Sequence, residues 1–464
     1  MNNFLLTLAA IVLLAIGALF AVPPMVDWNQ YRGVFEEEVS RFLGREVRVG
    51  GDVRLRILPM PYVGFERVRI ADAPGISGSF VRAERFTLWL SVPPLLRGVV
   101  EARKIEIQNP EVRLRFDDAG GGNWQSLKPR QYRLPFVPNQ IALQSVNIRN
   151  GKITLENARG VSLANIEGIY GELSAKALAG PYKFVGTVGL KSGERRDLRV
   201  STSPTGTNGV NRILLVSRSK SSAASLSIDG ELTTNGTGPA FAGKLKLQAP
   251  FLAPAKGAGK ARANRYFDLS ATLKSTTSQI DVSKLSVGFD SGGRPQLLEG
   301  SAVMSWRDKV VLRGRLASRW LDLDAVFGVS SDAGPLPAIY SFIGRDPGAA
   351  LPGETVFDIT VDQANLGGDS VSGIRARVGQ ADGRLQLDHL RANLPGGTRL
   401  DSDGTVIVGK AGPIVAGHVI VSGRSLRRFS AWAKIPLGDL TGRAQGAFGL
   451  QSDMQLNARS IAFT

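Results

Sequence analysis

Residues 47–61, VRVGGDVRLRILPMP, decide how the chain folds. Val47, Val49, Val53, Leu55 and Ile57 alternate with Arg48, Arg54 and Arg56. Successive side chains of a strand point to opposite faces, so this spacing predicts strands with one apolar and one cationic face. Pro59 and Pro61 end the run or mark an edge. The pattern returns in FERVRI at 65–70 and FTLWL at 86–90. In KIEIQNPEVRLRFD at 104–117, Ile105, Ile107, Val112, Leu114 and Phe116 line one face, opposed by Lys104, Glu106, Arg113 and Arg115.

Upstream lies an uncharged apolar run, Phe4 to Val26. As a helix it would extend roughly 35 Å, and a bilayer core is about 30 Å thick. It therefore reads as a single transmembrane signal anchor over 1–26. A cleaved signal peptide fits less well, because no Lys or Arg precedes the run. A helix is expected over 27–44, capped by Asp27 and stopped by Gly44. Val34, Phe35, Val39 and Phe42 recur at helical spacing and are expected to pack on the end of the sheet. Trp28 and Tyr31 are candidates for the membrane interface, where such aromatics concentrate.

Downstream, strand patterns alternate with turn signals to the end of the chain. Loops are expected at 119–140 and 252–264. The first β-region is expected to span 27–328, a Gly/Pro-rich connector with a short helix 329–353, and a second β-region 354–464. The last strand, SIAFT, ends without a cap, which is the expectation for an incomplete second region. The fold class is all-β: an elongated, strongly curved antiparallel sheet, one N-terminal transmembrane helix and a short capping helix.

Composition agrees. The 464 residues include 54 Gly, which suits tight turns, and no Cys, which excludes disulfides and thiolate metal sites. The net charge of +17 is dispersed along strands, so it reads as a solvated face. No basic run or aromatic RNA-binding motif suggests nucleic acid.

Motifs that carry chemistry are scarce. His389 and His418 sit in strand-like runs and read as ordinary strand residues. Asp322 and Asp324, in WLDLDAVFG, fall at strand spacing and read as a solvated face; a cation-binding pair is the alternative. No metalloprotease, nucleophile-elbow or phosphate-loop motif is present. The expectation is a non-enzyme with no cofactor and no metal.

Several segments together resemble the AsmA family of Gram-negative envelope proteins. They are VDWNQYR after the apolar run, LGREVRVGGDVRLRILPMPYVGFERVRIADAPG, and the stretch from VRAERFTLWL to the closing GGNW at 121–124. The block from FDITVDQANLGG to TRLDSDG resembles the family's C-terminal repeats. The resemblance implies an inner-membrane anchor with the bulk of the chain in the periplasm. It also implies a role in outer-membrane lipid homeostasis and a taco-like β-groove of the bridge-like lipid-transfer kind. The groove-lining candidates are Val47, Val49, Val53, Leu55, Ile57, Ile105, Ile107, Val112, Leu114 and Phe116. The expected partners are phospholipid and the inner membrane. The alternative is a non-conducting scaffold assisting outer-membrane protein assembly, with outer-membrane or periplasmic proteins as partners.

Overall fold

The computed structural model describes residues 26–57, 60–95, 102–116, 121–124, 143–175, 180–190, 193–204, 209–233, 239–250, 266–289, 294–307, 309–327, 329–343, 353–381, 384–409, 412–435, 446–456 and 461–463. Two compact units divide it, Met1–Phe241 and Ala242–Thr464. Strands dominate both, and most of the pairings are antiparallel.

In the first unit, β1 (Val47–Val49) and β2 (Val53–Arg56) both pair with β3 (Tyr62–Ala71). The Arg/apolar alternation produces them as the spacing predicts, with Val47, Val49 and Val53 buried. β3 pairs with β4 (Ser79–Leu90). Next, β5 (Ala102–Gln108) and β6 (Glu111–Arg115) both lie between β4 and β7 (Leu143–Glu156), and run parallel to β7. The ladder continues antiparallel through β8 (Ser162–Ala175), β9 (Tyr182–Gly189), β10 (Arg195–Thr202), β11 (Val210–Ser219) and β12 (Ser225–Thr233). β13 (Ala240–Pro250) spans the boundary between the units.

Left-handed residues interrupt these strands: Arg67 (φ 52°), Asn109 (φ 48°), Asn150 (φ 55°) and Gly168 (φ 61°). Asn150 Nδ2 donates to Asn109 Oδ1 at 2.8 Å, and Asn109 Nδ2 donates to the Glu84 carboxylate. A residue in this conformation slips the alternation by one, as a bulge does. In β3 the inward set accordingly changes from Val63 and Phe65 to Val68 and Ile70, while Arg67 and Arg69 are exposed. The same slip at Asn109 explains why Ile105 and Ile107, at odd positions, share an apolar face with Val112 and Leu114, at even ones.

A 3-10 turn, Trp28–Tyr31, leads into helix α1 (Arg32–Leu43), which ends at left-handed Gly44. The expected apolar stripe is corrected. Val34 is 60% exposed and Val39 39%, while Phe42 is partly buried and Phe35 lies against Phe65 at 5.5 Å. Polar side chains hold the helix instead. Asn29 Oδ1, Glu36 Oε1 and Ser40 Oγ accept from the backbone N–H groups of Val53 (3.0 Å), Val49 (2.7 Å) and Val47 (2.8 Å). These are edge N–H groups that would otherwise be open to another strand.

In the second unit, β14 (Tyr266–Ser275), β15 (Gln279–Phe289), β16 (Gln296–Ser305) and β17 (Val311–Asp322) form a meander. A crossover containing α2 (Leu323–Phe327) and α3 (Pro335–Ile343) returns the chain to β18 (Glu354–Leu366), which lies parallel to β17. β19 (Asp369–Ala381), β20 (Arg384–Leu394), β21 (Thr398–Gly409) and β22 (Gly412–Gly423) follow, then α4 (Leu426–Ala433), β23 (Phe448–Leu456) and β24 (Ile461–Phe463). Here the helices close over the sheet. Ala338, Leu366, Val371 and Ala392 are buried beneath Leu323, Phe327 and Trp432.

Among the described residues no helix is long and apolar enough to cross a membrane. The expected anchor lies outside them except for Val26, as do the expected linker 252–264 and most of the loop 119–140.

Candidate functional site: the apolar face of the first unit

Residues paired directly across a ladder project from the same face. Following the register from β2 to β12 traces one row: Leu55, Val63, Leu88, Ile105, Val146, Leu173, Phe184, Val200, Leu215 and Ile228. Every member is apolar. At a strand spacing of about 4.8 Å the row follows roughly 43 Å of sheet contour. Beside it runs a second row: Val53, Phe65, Phe86, Ile107, Ile148, Gly171, Gly186, Leu198, Ser217 and Leu226. Gly171 and Gly186 leave a gap there, which the Phe184 ring fills; a Cβ on either glycine would come within 2.8 Å of that ring.

Beyond the crease, the line where left-handed Arg67, Asn109 and Asn150 interrupt the alternation, Val47, Ile70, Val81, Val112, Ile153 and Ile166 form a third row, and Leu114 pairs with Leu155. Register therefore brings Val47, Val49, Val53, Leu55, Ile105, Ile107, Val112 and Leu114 onto connected ladders. Ile57 lies just past the end of β2. Phe116 forms an isolated bridge with Gly122 and stacks edge-on against Trp124 at 5.4 Å. Trp28 and Tyr31 are neighbours, with ring centres 5.8 Å apart and Tyr31 46% exposed.

Most of these rows are only half-buried. Val146 is buried, but Leu55, Val63, Leu88, Ile105, Leu173, Phe184, Val200, Leu215 and Ile228 keep part of their surface accessible. The packed apolar clusters among the described residues, around Ala338 and around Val361, belong to the second unit. On the reverse of the first unit, ion pairs tie the strands together. Glu66 meets Arg54 at 3.1 Å and Arg85 at 3.2 Å, and Glu156 meets Arg115 at 2.8 Å.

The rim of the sheet holds a buried polar knot. Arg45 and Asp72 have side chains 2% and 0% exposed, with Nη1 and Oδ1 3.9 Å apart. Asn123 Nδ2 donates to Asp72 Oδ1 and to Arg113 O, both at 2.9 Å, and Asn123 Oδ1 accepts from Arg115 N at 3.0 Å. Arg45 donates to Ala71 O at 3.2 Å and to Asn123 O, and lies over the Phe80 ring at 5.1 Å. Burial pulls the Arg45 pKa below the usual arginine value, and Asp72 opposes that shift. The knot joins LGREV, ADAPG and GGNW, three of the segments that carry the family resemblance.

Residues 3–224 match the sequence model of the AsmA family. This N-terminal region belongs to the AsmA family. The AsmA match ends within the first unit, so it spans the apolar rows up to β11 and the polar knot. Neither a curated protein nor a solved structure matches the chain.

The acidic pair in the second unit is corrected too. Asp324 is 2% exposed, so it is no solvated face. It accepts from Gly367 N at 2.7 Å and Gly368 N at 2.9 Å, pinning the β18–β19 turn. Asp322 Oδ1 accepts from Ala325 N at 3.0 Å at the start of α2, and from Asn365 Nδ2 at 3.1 Å. His418 Nδ1 lies 3.1 Å from Asp453 Oδ1, directly across the β22–β23 ladder. Among the described residues no cluster of His, Asp and Glu could hold a metal ion.

Proposed function

We propose that this protein carries phospholipid along the apolar face of its first unit. AsmA membership supports an envelope-related role. In this reading residues 4–26 anchor the chain in the inner membrane and the bulk lies in the periplasm of a Gram-negative cell. The face forms a groove that passes lipid toward the outer membrane and so supports outer-membrane biogenesis.

The observation that carries the proposal is the unbroken apolar row from Leu55 to Ile228, partly exposed at every position but Val146. A closed sandwich would cover such a row with a second sheet. An acyl chain laid on it gains about 0.8 kcal/mol per buried methylene. The gain changes little from one strand to the next, so sliding meets no deep trap. Headgroups would stay at the wet rim. The transfer needs no catalytic residue, cofactor or metal, and the protein is proposed to act without chemistry.

Native mass spectrometry of the detergent-extracted chain tests this. Phospholipid is expected to remain bound, and Leu55→Asp or Leu114→Asp to reduce it. Lipid-free protein, or variants that retain as much as the parent, would contradict the proposal. Lipid-free protein that crosslinks to outer-membrane proteins would favour the scaffold alternative.

A further inference from the structure

The other face of β9–β11 breaks the rule that polar residues point outward. Val185 on β9 and Leu214 on β11 are 42% and 40% exposed there. Register sets Val185 beside Arg199 and Arg199 beside Val216, with Lys183, Ser201 and Leu214 in the next row. Arg218 stands opposite Asp197 in the row on the far side. Together they line a cleft of about 370 Å³. That volume falls in the range of small-molecule sites, roughly 300–1,000 Å³.

The charges around it are uneven. Neighbouring cations are engaged: Arg212 with Asp229 at 2.8 Å, Lys220 with Asp197 at 3.2 Å, and Arg196 with Glu194 at 3.7 Å. Among the described residues, Lys183, Arg199 and Arg218 form no such pair. Asp197, the acid of the cleft, is committed to Lys220. Three cations without an ion pair among the described residues thus share the cleft with Val185, Leu214 and Val216, and Arg199 stands between Val185 and Val216. An apolar floor alone would suit any hydrophobe, and cations alone any anion. The combination selects a molecule that has both parts.

We infer that this cleft binds an anionic amphiphile as a single molecule, its phosphate or carboxylate among Lys183, Arg199 and Arg218 and its first methylenes on Val185, Leu214 and Val216. Lys183, Val185, Arg199 and Arg218 project from the face opposite the row through Phe184 and Val200, two residues that also border the cleft; the inference does not depend on lipid carriage along that row.

The chain contains no cysteine, so Ser227→Cys, opposite Val216 on β12, gives a unique point for a bimane label. The labelled full chain, in phosphatidylcholine nanodiscs, would be titrated with monomeric octyl phosphate, octyl glucoside and inorganic phosphate. A saturable response to octyl phosphate is expected, at least about tenfold tighter than to either other probe. Arg199→Gln/Arg218→Gln should weaken it by at least about tenfold, since charge-assisted hydrogen bonds are lost. Both changes are at exposed positions, and circular dichroism would verify the fold. An equal response to octyl glucoside or to inorganic phosphate, or an unchanged response in the double variant, would overturn the inference. Phospholipid retention is read separately by mass spectrometry, so this site and the apolar face can fail independently.

Discussion

Asn123 donates a 2.9 Å hydrogen bond to Asp72 across 51 positions of sequence, and both side chains are buried. The bond closes the end of β6 onto the turn that follows β3. Asn123→Leu would leave the Asp72 carboxylate and the Arg113 carbonyl short of a buried donor. A loss of about 2–4 kcal/mol is expected, read as a fall in the denaturation midpoint. Arg45→Met removes the cation and leaves Asp72 uncompensated, which costs about 3–5 kcal/mol. A midpoint unchanged in both would mean the knot is not stabilising.

The edge of the sheet is protected by side chains of the turn and helix that precede it. Replacing Asn29, Glu36 and Ser40 together by Ala should free the N–H groups of Val53, Val49 and Val47. Hydrogen exchange at those three amides should accelerate, each bond contributing about 1 kcal/mol of local protection. Amides in the interior of β3 and β4 should keep their rates.

Gly186 faces Gly171 across β8 and β9. A Cβ at Gly186 would come 2.1 Å from Tyr170 O and 2.7 Å from Gly171 Cα. Gly186→Val therefore requires the backbone to move and should destabilise by several kcal/mol, at about the upper end of ordinary substitutions. Thr187→Val, on the next residue and the other face, should be nearly silent in the same unfolding assay.

Asp358 and Arg377 face each other on β18 and β19 at 2.7 Å, both partly exposed. The hydrogen bond from Arg377 holds the Asp358 pKa below its ordinary value. A depressed carboxylate stabilises above its unfolded pKa, about 3.9, and loses that contribution as pH falls through its folded value. The pair is solvent-screened, so Asp358→Asn should change the melting temperature at pH 7 only slightly. As pH falls below the unfolded value and Asp358 becomes protonated in the folded state as well, the two proteins should converge. A difference that grows on acidification would reverse this sign.

Much of the first unit is legible in its alternation. Val47, Val49, Val53 and Leu55 declare their strands and their shared face without any long-range information. The crease is less readable. Asn109-Pro110 and Asn150-Gly151 look like turns between separate strands, yet Asn150 sits inside β7 and Asn109 joins two collinear strands. Helical spacing selected Val34 and Val39, which are exposed, because α1 is held by edge hydrogen bonds more than by an apolar stripe. Those bonds from Asn29, Glu36 and Ser40 become visible only when the sheet edge beside them is known. Arg45, Asp72 and Asn123 are likewise far apart in sequence, and nothing local in ADAPG marks Asp72 as more than a turn residue. Asp324 falls at strand spacing but follows the last residue of β17, so α2 and the β18–β19 turn bury it.

The central claim is that lipid lies on the face of Leu88 and not on the reverse. Leu88 belongs to the row through Ile105, while Thr87, its neighbour in β4, pairs with Gly64 and Glu106 on the other face. A photo-reactive phenylalanine analogue placed at each position in turn, in cells with labelled phospholipid, reads the two faces directly. The account predicts a lipid adduct from position 88 and little or none from position 87. Equal adducts from both positions, or none from position 88, would contradict it.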